Sequence, residues 1–313
     1  VNVWNGIEGY PEDRGAVVAT IGNYDGVHRG HRVILDGIVA EARRGGLPSL
    51  LITFEPHPLA VVAPERRPAL LQTRRQKLDC LEQAGLDDVL ILTFDGALAE
   101  LEGEAFFADL LCAHVELAAV QVGENFRFGH RRAGDLELLR EIGSRQGFDV
   151  VGVPPVRQGD DTVSSSAIRA AVAAGDVERA ARLLGRPFSL TGEVVRGDGR
   201  GADLDFPTAN LEVENEVLPT GGVYVSETRV LAGRYPSMTN VGVRPTFGGR
   251  EVRVETHLLD FSDDLYGERL ELDLLARIRD EQRFDGPGEL ADQLARDRAA
   301  AEAYFHNLHL RAP

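Results

Sequence analysis

The chain has 313 residues, a length that fits about two domains, and 43% of them are hydrophobic, enough for sizeable cores and against intrinsic disorder. With 50 acidic against 34 basic residues its formal charge is −16, a surface that repels nucleic acid and anionic membranes, so a nucleotide site has to supply its own positive field. Cys80 and Cys112 are too few for a disulfide framework or a Cys-rich zinc site.

The opening "VNVWNGIEGYPEDRG" lacks the basic end and apolar run of a signal peptide, and no apolar run approaches the roughly 20 residues that span a bilayer. A reducing cytoplasm is the expected compartment. "AVVATIG" then reads as a short buried strand ending at glycine. "HRVILDGIVAEARRGG" has helical spacing at Val33, Ile34, Ile38, Val39 and Ala42, with Gly45 and Gly46 as its stop. "SLLITF", "DVLILTF", "LAAVQVG" and "DVVGVPPV" are further strand candidates. "RRQKLDCLEQAG", "EAFFADLLCAH" and "LELLREIGSRQG" read as the helices between them. Alternating apolar strands and helices predict a parallel sheet covered on both faces, with a ligand crevice at the carboxyl ends of the strands. "IGNYDG" and "TFEPHP" sit at such ends.

Two short helices follow, "SSAIRAAVAAG" and "DVERAARLLG", the second between an Asp176 N-cap and a Gly185 stop. After "RPFSL" the texture changes. "TGEVVRG", "GGVYVSETRVLAGRYPSMTNVGV", "VRVETHLLDF" and "RLELDLLARI" alternate as short strands, which predicts an antiparallel, barrel-like second domain. An amphipathic helix over about 287–306 closes the chain, with Leu290, Leu294, Tyr304 and Phe305 toward the core. The expected domains are residues 1–186 and 187–313.

The motif "IGNYDGVHRGH" places His28 and His31 three apart. Alone, His-x-x-His is more often a turn and a helix start than a site. A zinc site would need a third ligand and a base, and no Glu stands beside His28 and no Cys is near. Between a strand and a helix, however, the unpaired N–H groups and the helix dipole attract anions, and Gly26 and Gly30 permit close backbone approach. Two imidazoles there are suited to donating hydrogen bonds to a phosphate during displacement at phosphorus. "VSSSAIR" places hydroxyls at a second helix start with Arg169 about a turn in. By itself that is a cap, and beside the histidine motif it becomes a phosphate clamp candidate.

In order, "GNYDGVHRGH", "TFEPHP", "VGENFRFGH" and "VSSSAIR" resemble the nucleotidylyltransferase module of bifunctional riboflavin kinase/FAD synthetases. "FPTANL", "GVYV", "NVGVRPTFGG", "VETHLLDF", "DLYGERL" and "RDEQRF" resemble the kinase module of that family. Each motif alone is weak; the ordered set spans nearly the whole chain. The resemblance implies an α/β Rossmann-like nucleotidylyltransferase domain and a mainly antiparallel β-barrel flavokinase domain with a C-terminal helix. It implies an enzyme that phosphorylates riboflavin to FMN with ATP and then adenylylates FMN to FAD with pyrophosphate release. An alternative is a flavin- or nucleotide-binding protein with only one active module. Mg²⁺ is the implied cofactor, and the partners are small molecules, with neither nucleic acid nor membrane; nothing in the sequence supports a homo-oligomer.

Carried over residue by residue, Gly22, Asn23, Asp25, His28 and His31 would bind ATP and handle its phosphates, with the two histidines catalytic. Ser165, Ser166 and Arg169 would close the ATP side. Phe54, Pro56, His57 and Pro58 would shape the flavin pocket, and Asn125, Phe126, Arg127 and Phe128 would hold FMN. In the kinase half, Thr208 and Asn210 match Mg²⁺–ATP positions, a hydroxyl and an amide oxygen being hard donors. Glu255 matches the catalytic base. Gly197, Asp198 and Arg200 belong to the preceding ATP loop, Asn240, Arg244, Pro245 and Thr246 line the nucleotide or flavin side, and Arg279, Glu281 and Phe284 lie near the flavin.

The sequence departs from the family pattern at a few places. Tyr24 stands for the usual Phe and Asn125 for a frequent Asp. Asp205 stands for a glycine before "FPTAN", and Asp203 lies where a basic residue is common. A carboxylate beside ATP phosphates costs energy unless it faces Mg²⁺ or solvent, and glycine's access to positive φ is lost. Asp205→Gly is therefore expected to lower the kinase KM for ATP, which steady-state kinetics would read.

Overall fold

The computed structural model describes residues 1–197, 206–246 and 249–311; the side chains of 243–246, 249–251, 309 and 311 are outside the description. The expectations for Asp198, Arg200, Asp203 and Asp205, and for the side chains of Arg244, Pro245 and Thr246, therefore lie outside the described residues. The chain divides into two compact units, Val1–Ser164 and Ser165–Pro313.

The first unit runs β1 (Asn2–Asn5), β2 (Val17–Ile21), α1 (Arg29–Gly45), β3 (Ser49–Glu55), α2 (Pro58–Val62), α3 (Arg74–Gln83) and β4 (Asp88–Thr93). It continues through α4 (Gly96–Glu100), α5 (Gly103–Ala105, prolonged as a π-helical Phe106–Leu111), β5 (Leu117–Gly123), α6 (Leu136–Gln146) and β6 (Asp149–Val153). A small antiparallel pair, β7 (Arg157–Gln158) and β8 (Asp161–Thr162), follows. The main sheet is parallel, in the order β1-β4-β3-β2-β5-β6.

Why the strands read as unbroken apolar runs is visible in the packing. Ile21, Ile52, Leu90 and Val122 face one cluster, with Phe106, Phe107 and Leu139 from the helical side. Their neighbours Val18, Leu51 and Val89 face another, with Leu35, Ile38 and Leu81 of α1 and α3. Side chains alternate between faces along a strand, and here both faces are covered. The chain steps outward from β2 to β3 and β4, then returns to the other flank of β2 as β5. That reversal opens a crevice at the carboxyl ends of β2 and β5.

The second unit begins with α7 (Ser165–Ala173) and α8 (Val177–Leu184). The Asp176 side chain accepts from the Arg179 N–H and Gly185 ends α8 in the left-handed region, as the sequence predicts. Six antiparallel strands close into a barrel: β9 (Phe188–Val195), β10 (Ala209–Val213), β11 (Gly222–Val230), β12 (Gly233–Thr246), β13 (Gly249–Leu258) and β14 (Arg269–Asp280). Closure in the order β10-β13-β12-β11-β14-β9 leaves no open sheet edge. Ser226, Thr228, Ser237, Thr239 and Thr256 are fully buried and bond to one another through their hydroxyls, a polar cluster whose members satisfy each other.

The last helix, α9 (Pro287–Arg311), reaches beyond the predicted end. Ala301 and Phe305 are buried against Val225, Met238 and Leu259, with Leu294 and Tyr304 beside them. One turn-spaced step earlier on that face lies a charge, Asp297, at 1% exposure. It accepts two bonds from Arg279 Nε at 3.0 Å and one from Nη2 at 2.7 Å, and a further bond from Gln293 at 2.8 Å. Removing one partner of a buried ion pair leaves the other uncompensated and costs about 3–5 kcal/mol. Asp297→Ala is expected to lower the unfolding free energy of the second unit by that amount, read by calorimetry as an earlier transition; an unmoved transition would show that α9 is held by its apolar contacts alone.

Candidate active sites

In the first unit the loop from β2 to α1 carries the histidine motif. His28 is the N-cap of α1: its Nδ1 accepts the His31 N–H at 3.2 Å. The two rings stack with centroids 3.6 Å apart and 13° between planes. Gly30 permits this, since a Cβ there would stand 3.2 Å from the His28 ring. His31 also packs on Tyr24, centroids 4.5 Å apart, and the Tyr24 hydroxyl bonds to Thr20 Oγ1 at 2.7 Å. Burial pushes the Tyr24 phenol well above its usual range. Tyr24 and Val27 both hold positive φ, 50° and 36°, a strained backbone in a loop that the surrounding structure fixes. Asp25 is buried, and both its carboxylate oxygens accept the Leu71 N–H, at 2.9 and 3.2 Å. These bonds tie the β2–α1 loop to the segment before α3.

The loop after β3 meets this one. His57 caps α2, its Nδ1 accepting the Leu59 N–H at 3.1 Å. A neutral ring accepting at Nδ1 carries its proton on Nε2, which lies 3.1 Å from the Asn23 amide. The structure places the Asn23 amide nitrogen at that distance, and with this tautomer the contact becomes a hydrogen bond when the amide turns to present its oxygen. Lys77 of α3 completes the junction, donating to Asn23 O and to Thr53 Oγ1, each at 2.8 Å. Nothing in "RRQKLDC" marks that lysine in the sequence; its neighbours are brought by the fold.

Around the crevice stand aromatic rings. Phe54 meets Phe94 edge-on at 5.6 Å and Phe106 at 6.3 Å. Phe126 stacks with Phe128 at 5.4 Å, and Phe128 itself is a core residue, edge-on to Phe107 at 4.9 Å. Of the pair, Phe126 is the half-exposed ring, flanked by exposed Asn125 and Arg127. Pro56 is exposed, and Pro58 opens α2. Gly22 ends the run from β2, its N–H bonded to Ile52 O at 3.0 Å. Ser165, Ser166 and Arg169 lie on the first turns of α7, in the second unit.

In the barrel, three predicted residues fall on one rung. Asn210 of β10 pairs with Glu255 of β13, which pairs with Asn240 of β12. Residues directly opposite in antiparallel strands share a face. The rung continues through Val223 of β11 to Arg279 of β14. Gly197 lies against Asn210 so closely that a Cβ would stand 2.2 Å from its amide nitrogen. The Glu281 carboxylate would lie 3.2 Å from a Cβ at either Gly221 or Gly242, beside Asn240. Arg279 is committed to Asp297, with its guanidinium 5.7 Å from the Phe284 ring centre. Thr208 borders a cleft of about 170 Å³ under the loop from Phe261 to Tyr266. Just before it, Pro207 O accepts from His257 Nδ1 at 2.8 Å. Burial, outweighing that bond, lowers the His257 pKa, so the ring is neutral at pH 7.

A hydroxyl, an amide oxygen and a nearby carboxylate suit a hard divalent cation, and the space that Gly197 leaves open gives the Asn210 amide room to turn.

A parallel α/β unit with its histidine loop at the strand-order reversal, joined to a closed barrel with an Asn–Glu–Asn rung, defines a two-module nucleotide-dependent protein. The FAD synthetase family model matches residues 10–167 and the riboflavin kinase family model residues 184–305. A bifunctional riboflavin kinase/FMN adenylyltransferase of Escherichia coli K12 is 42% identical over 289 residues, 92% of either chain. That of Pseudomonas fluorescens is 40% identical over 94% of either chain. A crystal structure described as a macrolide-efflux protein from Streptococcus pneumoniae superposes with a TM-score of 0.89 at 29% identity, over 96% of this chain and 99% of that one. Among the described residues here, no helix is long and apolar enough to cross a membrane. The chain belongs to the bifunctional riboflavin kinase/FMN adenylyltransferase family.

Proposed function

We propose that the chain makes FAD in two steps: riboflavin and ATP give FMN and ADP in the barrel unit, then FMN and a second ATP give FAD and pyrophosphate in the α/β unit. The observation that carries this reading is the presence of both family matches in one chain, each over a unit with a suitable constellation. We place the functional boundary near Arg186, at the start of the riboflavin kinase match, with the reactions in the cytoplasm.

In the adenylyl step the loop Gly22–His31 holds the ATP phosphates. The stacked imidazoles donate to oxygens of the α-phosphate as an FMN phosphate oxygen attacks it, and the P–O bond to pyrophosphate breaks. Phe54, His57 and the exposed face of Phe126 shape the flavin pocket, with Asn125 and Arg127 at its polar edge; Phe128 supports Phe126 from below. In the kinase step Glu255 accepts the proton of the ribityl terminal hydroxyl as its oxygen attacks the γ-phosphorus and ADP leaves. Thr208 and Asn210 would hold Mg²⁺, which supplies charge neutralisation at the phosphates. Asn210 and Asn240 flank the base on the rung, and Arg279 acts by anchoring α9 behind it.

The test is incubation with riboflavin, ATP and Mg²⁺ and chromatographic resolution of riboflavin, FMN and FAD. FMN without FAD removes the transferase reading; FAD only from added FMN removes the kinase reading. A finer expectation falls on Gly197→Ala, whose new methyl displaces the Asn210 amide. It is expected to raise the kinase KM for Mg-ATP by tenfold or so, the effect of losing about 1.4 kcal/mol of binding, and to leave FAD formation from FMN unchanged.

A further inference from the structure

The strongly acidic chain needs a local positive charge where it handles a nucleotide, and the fold places one at an unexpected position. Lys77 belongs to a helix segment, "RRQKLDC", that reads as a solvated face. In the structure its side chain is half-buried, with the ammonium at the carboxyl ends of β2 and β3. It donates to Asn23 O in the histidine loop and to Thr53 Oγ1 just before the flavin-side loop, both at 2.8 Å. Asn23 in turn meets His57 at 3.1 Å. One cation therefore joins the histidine loop to the end of β3, and Asn23 carries the connection on to the loop of His57.

Resting on the adenylyl-transfer reading above, we infer that Lys77 is a positioning residue for that step: its ammonium ties the ATP loop to the end of β3, and through Asn23 and His57 to the flavin loop, and supplies a positive charge beside them. It touches loop backbone and Thr53 rather than the reacting atoms, so it acts through Asn23 and His57. Misplacing reactants by about 1 Å costs on the order of 100-fold in rate.

The charge state gives this role a signature. Burial lowers the Lys77 pKa to about 8, helped by Arg74 and opposed by Glu55 and Asp25. These groups face it from its own helix, from the end of β3 and from the histidine loop, and His57 stands beyond Asn23. Below about pH 8 the ammonium is charged; above it the amine is neutral and the charge-assisted bonds weaken. The stability linkage runs the other way. Between about 8 and the ordinary 10.5 the unfolded chain holds a proton that the folded one has released, so stability rises with pH across that window. Deprotonation of Lys77 by itself therefore costs no stability in that window.

The experiment measures kcat/KM for FAD formation from FMN and ATP between pH 6.5 and 9.5 for the wild type, Lys77→Met and Lys77→Arg. Fluorescence of Trp4, the chain's one tryptophan, follows folding of the first unit. The wild type is expected to fall off above pH 8. Lys77→Met should be 10- to 100-fold lower at pH 7 without that limb, and Lys77→Arg, always charged, should recover part of the rate with the limb displaced upward. A wild type that forms FAD with no alkaline limb near 8 overturns the inference and leaves the transferase reading intact. So does a folded Lys77→Met within twofold of wild type, or one that keeps the limb. A wild type forming no FAD at any pH overturns the transferase reading itself. If Lys77→Met does not fold, the wild-type limb and its displacement in Lys77→Arg decide.

Discussion

His28→Asn is expected to remove FAD formation while leaving helix α1 in place. The substitution separates two duties of one side chain. As N-cap, His28 accepts the His31 N–H through Nδ1, and asparagine is among the best residues for that task. As phosphate donor, the imidazole has no substitute in a shorter amide that is already turned toward the backbone. Losing one well-placed donor to a developing oxyanion costs about 100- to 1000-fold in turnover. His28→Ala removes the cap as well, adding about 1 kcal/mol of destabilisation. Rates for His28→Asn and His28→Ala should therefore be similarly low, while only His28→Ala melts earlier. Both should still convert riboflavin to FMN. An active His28→Asn would return the histidine to the role of a helix cap. Loss of FMN formation in both variants would contradict separate sites for the two reactions.

The parallel sheet was legible in the sequence because each strand is buried on both faces and so reads as an apolar block between periodic helices. The edge strand Asn2–Asn5 gave no such signal: it is four residues with polar ends, and it exists because β4 offers it a parallel partner. Strand Ala209–Val213 was hidden inside a motif that was read for its chemistry, "PTAN", although its pairing with β13 is what sets Asn210 beside Glu255. The Phe106–Leu111 stretch was legible as helix but not as a π-turn.

In the sites, single-loop features could be read directly and junctions could not. The His28–His31 spacing predicts a shared face at a helix start, and the rings do stack there. Resemblance assigns Asp25 to the ATP loop; its bond to the Leu71 N–H, 46 positions away, is invisible in any local window. Lys77 and Asp297 are the sharper cases. Each is a charge in a helix that meets partners from elsewhere in the chain, Lys77 the Asn23 loop and Thr53 of β3, Asp297 the Arg279 guanidinium of β14. Charge burial is a tertiary event, so the pattern of a helix face cannot report it. A charged residue at a helical spacing otherwise occupied by apolar ones, as Asp297 is four before Ala301 and eight before Phe305, is the nearest thing to a warning.

Glu255→Gln carries the corresponding expectation for the barrel. Glutamine keeps the side chain's length and one oxygen, so the Asn210–Glu255–Asn240 rung retains its spacing and the strand register has no reason to change. What it loses is the basic carboxylate. General-base assistance is worth about 100- to 10,000-fold, so riboflavin phosphorylation should fall by that factor. KM for riboflavin should move little, since the binding contacts remain, and FAD formation from supplied FMN should be unchanged. Glu255→Asp is the finer probe: it keeps the base but withdraws it by one methylene, and a rate between glutamine and wild type would show that position as well as basicity matters. If Glu255→Gln phosphorylates riboflavin at the wild-type rate, Glu255 is a strand residue, and the base must be sought among the neighbours the rung brings together, with Glu281 beside Asn240 the first to test.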